Sequence, residues 1–419
     1  MMNGIMKSPT RPAPERGLLR LLGPAFVAAI AYVDPGNVAA NLSAGANYGY
    51  LLLWVLVAAN AMAVIVQYLS AKLGLVTGKS LPQLLGARLA PTSRRMYWVQ
   101  AELVAAATDL AEVIGGALAL YILFGVPLLT GGIIVGVLSL LILVLQGRKQ
   151  RAFEAVIMAM LLIITFGFVG GLFVSDLDPL AMLAGLVPRF ADSQSVLLAA
   201  SMLGATVMPH AIYLHSSLSR DRHGTDHGTG ESWAIRIRQL LRATKLDVVL
   251  ALIVAGGVNI SMLLLAAASL PGVAGTDTIE GAAAAISQNL GPTVGVIFAV
   301  GLLVSGLAST SVGAYAGSEI MSGLLKVRIP LVARRLITLL PALILLGVGV
   351  DPTWALVVSQ VVLSFGIPFA LIPLIKLTGN RGLMGEFTNR TPLRVTAFVT
   401  VALIIGLNAW LLLSMLLGL

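Results

Sequence analysis

Two short strings hold the residues best suited to chemistry. The first is Ala31-Tyr32-Val33-Asp34-Pro35-Gly36-Asn37 and the second is Gly204-Ala205-Thr206-Val207-Met208-Pro209-His210. Asp34 offers a hard anionic oxygen, Asn37 a neutral amide oxygen and Met208 a soft thioether. Both strings interrupt long apolar stretches, where an aspartate is costly and marks a functional site by default. Proline and glycine remove backbone hydrogen bonds and let a helix unwind. Unwinding frees carbonyls just before each break, and Ala31 and Ala205 are the candidates. Oxygen ligands alone would suit calcium or magnesium; an added sulfur shifts the preference to manganese, iron, cobalt, zinc or cadmium. The negative ends of the half-helices would face such a cation. Met208 can also be read as a gap-filling apolar side chain. Its place directly before a proline break, opposite Asp-Pro-Gly-Asn, favours the ligand reading.

A second group of chemical residues lies between them. Glu102, Asp109 and Glu112 fall within about 80° of one another on a helix turning about 100° per residue. Three carboxyls cannot face lipid, so they face the bundle interior. They serve either as local partners of arginines at the cytoplasmic helix ends or as a proton path, since buried carboxyls can exchange protons near neutral pH. The path reading is preferred for Asp109 and Glu112, and Glu102 stands evenly between the two. His210, at the start of the second half-helix, reads as a proton-linked or gating group rather than a ligand. His215 points to another surface, and His223 and His227 to a charged, solvated loop. Asn60, Gln67, Thr206, Asn259 and Gln360 are uncharged polar residues inside apolar segments, where most such groups join helices. Gln360 is singled out as a wall of the site. The Ser305–Ser311 run reads as close packing, with a sodium site as the sharper alternative.

The elements that must position these residues follow from composition. The chain is 58% hydrophobic and 11% charged with no cysteine, which marks an all-α polytopic membrane protein and excludes disulfides and thiolate chemistry. Eleven apolar segments are long enough to cross a bilayer: 19–40, 50–74, 96–122, 127–146, 153–174, 195–218, 246–270, 291–320, 332–350, 353–376 and 394–417. With a cytoplasmic N-terminus, 26 of the 27 Lys and Arg residues fall on the cytoplasmic side, leaving Arg189 outside. The positive-inside rule thus puts the C-terminus outside, and the net charge of +9 reflects topology rather than nucleic-acid binding. The apolar run from Gly17 with Ala29-Ile30-Ala31 imitates a secretory signal, but cleavage there would discard half of the first broken helix. Residues 1–17 read as a mobile cytoplasmic tail and 18–419 as one integral domain. The breaks fall in the first and sixth spans, which suggests two inverted five-span repeats, about 19–174 and 195–376, plus an extra helix at 394–417.

At these residues the chain resembles the Nramp family of proton-coupled divalent-metal transporters. The matching strings are Asp34-Pro35-Gly36-Asn37 and Met208-Pro209-His210, the latter running through Ile212-Tyr213-Leu214-His215-Ser216. Gln100-Ala101-Glu102-Leu103, Thr108-Asp109-Leu110-Ala111-Glu112 and Ser359-Gln360 support them. The resemblance implies a leucine-transporter-type fold with helices 1 and 6 discontinuous and an eleventh helix added. It implies metal held by Asp34, Asn37, Met208 and the Ala31 and Ala205 carbonyls, with Gln360 joining in some states. It maps the proton route to Asp34, Asp109, Glu112 and His210, and places Asn60, Gln67 and Asn259 at supporting or gating positions. Ala211 departs from the asparagine of many members, outside the metal shell. Relatives that move magnesium or aluminium lack the methionine. The expected function is import of Mn²⁺ or Fe²⁺, and also Cd²⁺, Co²⁺ or Zn²⁺, with protons across a bacterial inner membrane. No prosthetic group, catalytic activity, nucleic acid or obligatory protein partner is expected. The alternative is a sodium-coupled amino-acid transporter on the same fold, in which a buried Asp34 would repel the substrate carboxylate.

Overall fold

The computed structural model describes residues 23–146, 150–223, 230–273, 275–276, 278–325 and 330–417. The expected tail at 1–17, and His227, lie outside the described residues. The first apolar stretch is broken in two, α1 (Pro24–Ala29) passing through a 3-10 turn at Ile30–Val33 into α2 (Pro35–Tyr48). After it come α3 (Leu53–Thr77), the short α4 (Leu81–Arg88), α5 (Pro91–Phe124), α6 (Leu128–Gln146) and α7 (Gln150–Leu172). A short α8 (Pro179–Ala184) leads to the second broken stretch, α9 (Ser193–Thr206) and α10 (Pro209–His223). The rest is α11 (Glu231–Ser269), α12 (Ile279–Leu290), α13 (Pro292–Leu325), α14 (Leu331–Val348), α15 (Pro352–Thr378), α16 (Arg381–Met384) and α17 (Thr391–Leu417).

Among the described residues all regular structure is helical, as lipid demands of a chain that must satisfy its own backbone. Among them, eight helices are long and apolar enough to cross a membrane, α9 and α10 together forming one; Pro24–Val33 and Leu128–Ile142 are shorter apolar helices. The described parts of the expected segments fall largely on helices, with ends displaced in both directions. The first span continues to Tyr48, and α11 begins at Glu231, fifteen residues before its apolar part. Polar turns carry helix on past the hydrocarbon, where hydropathy gives no signal.

Burial sorts the helices. The α9–α10 stretch is the most enclosed and sits at the centre, while α17 and the apolar part of α7 lie at the rim. The broken helices are therefore central. Asp247 of α11 pins the start of α1, its Oδ1 accepting from the Gly23 N–H at 3.0 Å and its Oδ2 from the Ala25 N–H at 2.9 Å. That carboxylate supplies acceptors for two of the N–H groups a helix leaves unpaired at its start.

Candidate functional site

Local sequence explains the first break. Asp34 precedes a proline, which excludes it from the helical region, and it sits extended at φ −77°, ψ 168°. Its carboxylate caps α2, Oδ1 accepting from the Asn37 N–H at 2.7 Å. Pro35 takes the first helical position, where a missing N–H costs nothing. The carbonyls ahead of the break need partners from elsewhere. Asn259 of α11 donates to the Tyr32 carbonyl at 2.7 Å, and Ser305 of α13 donates to the Val33 carbonyl. Asn41 donates to Asn259 Oδ1 at 3.0 Å and fixes that amide. At the second break Val207 leaves the helical region at φ −111°, ψ 55°, and Met208 stands before Pro209, which starts α10.

The two breaks meet. Asn37 Nδ2 donates to Asp34 Oδ1 at 2.9 Å and to the Ala205 carbonyl at 3.0 Å, so one amide joins both. Gln360 of α15 closes the site, with Nε2 3.5 Å from Asp34 Oδ2. Two glycines allow this approach: a Cβ on Gly36 would overlap the Gln360 side chain, and one on Gly204 would overlap the Gln360 carbonyl. Asp34, Asn37, Ala205, Met208 and Gln360 are fully buried, and Ala31 nearly so, in the 3-10 turn. Among the described residues Asp34 has no cationic partner. Asn37 Oδ1, Gln360 Oε1 and Thr206 Oγ1 are buried without a hydrogen bond, a condition costing about 1–3 kcal/mol per group. A cation between the breaks would meet an uncompensated carboxylate and unused acceptors. Among the described residues no three His, Cys, Asp or Glu gather in metal-binding arrangement, so any site here joins the single Asp34 carboxylate to amides, carbonyls and the thioether.

The carboxyl stripe of α5 divides. Glu102, at its more open end, pairs with Arg334 at 2.8 Å, the local ion pair that had been the alternative reading. Asp109 is paired too, at 3.0 Å from Arg335, but both are buried. Glu112 is buried with no well-aligned hydrogen bond to either oxygen; Asp109, Arg335 and Asp34 are charges acting on it, and the Thr310 side chain is a polar neighbour. His210 Nδ1 lies 3.3 Å from Thr108 Oγ1, and its Nε2 has no partner. His215 does serve another surface, contacting Gln67 Oε1 at 2.7 Å while Gln67 also bonds the Tyr32 hydroxyl. Asn60 packs against Gly256 of α11.

Sequence reasoning missed Arg334, Arg335 and Tyr32, and read Ser305 only as close packing or a sodium site, not as the donor to the Val33 carbonyl. Both arginines count among the basic residues of the cytoplasmic side, and both are buried in the first turns of α14. Two adjacent arginines at the head of an apolar helix, facing a chain with surplus buried carboxyls, were the available signal.

Long helices enclosing two discontinuous ones whose breaks meet define the leucine-transporter type of membrane-transport fold. Solved structures agree: the chain superposes on MhsT in complex with L-phenylalanine with a TM-score of 0.59 at 15% identity, covering 92% of this chain and 98% of the other. That likeness concerns fold alone. Residues 25–414 match the family model described as natural resistance-associated macrophage protein-like, and the chain belongs to that family. It is 60% identical over 393 residues to the divalent metal cation transporter MntH of Mycobacterium tuberculosis (strain CDC 1551 / Oshkosh), covering 93% of this chain and 90% of the relative. To the protein of the same name from Bacillus subtilis (strain 168) it is 47% identical over 398 residues, covering 94% and 92%. The manganese transporter of Eremococcus coleocola, solved with an aromatic bis-isothiourea substituted compound, superposes with a TM-score of 0.84 at 30% identity, covering 95% of this chain and 88% of that one.

Proposed function

We propose that the chain is a secondary transporter that imports divalent transition-metal ions, Mn²⁺ or Fe²⁺ with Cd²⁺, Co²⁺ and Zn²⁺ also accepted, together with protons. The observation that carries this reading is the junction of the breaks, where Asp34 has only amide donors for company. The Asn37 NH₂ group bridges Asp34 Oδ1 and the Ala205 carbonyl, which is where a cation's charge belongs. Half a turn of that amide would present Oδ1 instead. Asp34, Asn37, Met208 and the Ala31 and Ala205 carbonyls would then hold the ion, with Gln360 joining from α15. The thioether disfavours hard cations that prefer all-oxygen shells. The metal-transporter names of relatives with 60% and 47% identity support the substrate class.

The proton would leave Asp34 as the metal arrives, passing by Glu112 and His210 to Asp109 and its arginine, with Glu102 and Arg334 nearer the exit. Thr206, Asn60, Gln67 and Asn259 support or gate the unwound segments. The positive-inside count supports a bacterial inner membrane with the N-terminus in the cytoplasm and the C-terminus outside. Two inverted repeats, about 19–174 and 195–376, with 394–417 added, would rock about the site. No enzymatic step, prosthetic group, nucleic acid or obligatory protein partner enters this reading.

Reconstituted proteoliposomes carrying a metal dye and a pH dye test it. Asp34→Ala should abolish Mn²⁺ and Cd²⁺ entry, and wild-type transport by that variant would overturn the assignment. Asp109→Asn with Glu112→Gln should uncouple acidification from metal entry; unchanged metal-driven acidification would remove both from the proton route.

A further inference from the structure

Away from the central site, α3, α9 and α17 enclose an apolar trough of about 460 Å³, walled by Val55, Ala59, Leu203, Ile404 and Leu407. A smaller pocket of about 270 Å³ continues it, sharing Phe190 and Trp410 and adding Asp192, Ser193 and Ser414. The trough is thus apolar along its length and polar at one end. Its three walls belong to helices apolar enough to cross a membrane, so it opens to hydrocarbon. Along α17 it runs from Ala402 to Trp410, about 12 Å at 1.5 Å per residue.

The mouth is fixed in place. The Trp54 backbone N–H donates to the Gly185 carbonyl at 3.0 Å and its Nε1 to the Arg189 carbonyl at 3.3 Å. The Trp54 ring meets Phe190 edge-on at 5.5 Å. Asp192 Oδ1 accepts from the Tyr48 hydroxyl at 2.6 Å and from the Ser195 N–H at 2.7 Å. Both bonds fall on Oδ1, and Asp192 itself is exposed. Arg189, three residues earlier, is also exposed.

We propose that this groove binds one zwitterionic phospholipid bearing a primary amine, with an acyl chain in the trough and the ammonium at Asp192. Dense packing leaves no stable void facing lipid, and a chain fills the trough without desolvating any polar group. Tryptophans at the mouth match the belt where apolar and wet regions meet. The Asp192 carboxylate, in the pocket that continues the trough, complements the ammonium of such a headgroup, whereas a headgroup without an amine would place only negative charge beside Asp192. A second copy of the chain seated here would have to bury the Asp192 carboxylate, which a lipid leaves at the water boundary.

Gly406 supplies the test, because it lines the trough and a Cβ there meets nothing within 4 Å. The full chain, purified in mild detergent, is incubated with equimolar phosphatidylethanolamine and phosphatidylglycerol and its adducts are read by native mass spectrometry. Wild type should retain phosphatidylethanolamine preferentially. Gly406→Phe should lower that adduct about tenfold, the loss expected on excluding about two methylenes, while Gly406→Ala keeps it. Asp192→Asn should still bind lipid but lose the headgroup preference. A monodisperse Gly406→Phe with undiminished adduct would overturn the proposal, as would a wild-type preference for phosphatidylglycerol. An unchanged preference in Asp192→Asn, or a lipid-free dimer that Gly406→Phe dissolves, would do the same. No metal enters the readout, so the result is independent of the transport reading.

Discussion

Replacing Asp109 with Asn should damage the protein more than replacing its partner Arg335 with Met. The two side chains are 2% and 1% exposed and stand 3.0 Å apart. Arg335 Nε donates to Ser139 Oγ at 3.2 Å, but neither Nη makes an aligned hydrogen bond. Charge, rather than directed bonding, is what Asp109 supplies. Removing one member of a buried pair costs about 3–5 kcal/mol because the other is left uncompensated. An arginine cannot shed its proton, so Asp109→Asn strands a full guanidinium charge without its paired carboxylate, Glu112 being a neighbouring carboxyl that still interacts with it. In Arg335→Met the abandoned carboxyl can bind a proton and become neutral, so the cost falls toward the roughly 1–3 kcal/mol of an unsatisfied polar group. The double variant Asp109→Leu/Arg335→Met should recover most of the loss, because an apolar pair needs no compensation. Melting shifts shrink with chain length, and about 1–2 °C per kcal/mol is reasonable at this size. Asp109→Asn should therefore melt about 3–10 °C lower. Heating the purified protein in detergent and following the monomer peak on size exclusion measures this. An Asp109→Asn variant within about 1 °C of wild type, or an Arg335→Met variant that melts first, would refute the reasoning.

Three further outcomes are expected. Met208→Ala should keep Mn²⁺ and Cd²⁺ entry while admitting more Ca²⁺ or Mg²⁺, because an oxygen-only shell loses its bias; an unchanged Ca²⁺ response in proteoliposomes would refute the thioether argument. Gly204→Ala should cost about 1–3 kcal/mol by overpacking, since its Cβ meets the Gln360 backbone, whereas Gly36→Ala meets a side chain that can swing aside. Thermal melting should rank Gly204→Ala as the less stable of the two. The Tyr48 hydroxyl, then the Ser195 N–H, hold the Asp192 carboxyl below its ordinary range. A carboxyl depressed in the folded state stabilises above its unfolded value near pH 4 and loses that contribution as pH falls further. The fall in melting temperature on acidification below about pH 4 should be shallower in Tyr48→Phe, and an identical slope would contradict the tie.

What the sequence showed and hid has a physical pattern. Both breaks were legible because a pre-proline residue cannot stay helical and because Asp34 has no business in an apolar helix without a task. Gln360 was legible as a polar residue in an otherwise apolar span, and Gly36 and Gly204 now explain how it comes so close. The partners of the buried groups were not legible. Arg334 and Arg335 lie more than 200 residues from the carboxyls they meet, and basic residues at helix ends ordinarily signal only topology. The donors to the Tyr32 and Val33 carbonyls were hidden for the same reason, since Asn259 and Ser305 look like any interhelical polar groups until the backbone they serve is seen. Helix ends such as Tyr48 and Glu231 escaped because hydropathy stops where the hydrocarbon does.

Those two donors give the first break a mechanical character. To wind residues 30–34 back into continuous helix, the chain would have to surrender bonds to α11 and α13 together. The second break receives its side-chain bond from Asn37, itself part of the first. The turn at 30–34 is therefore a bearing fixed in two other helices, and the turn at 207–208 is coupled to it through one amide. Tilting α1 against α2 is then a movement of the surrounding bundle, and no single residue in the turn acts as its hinge.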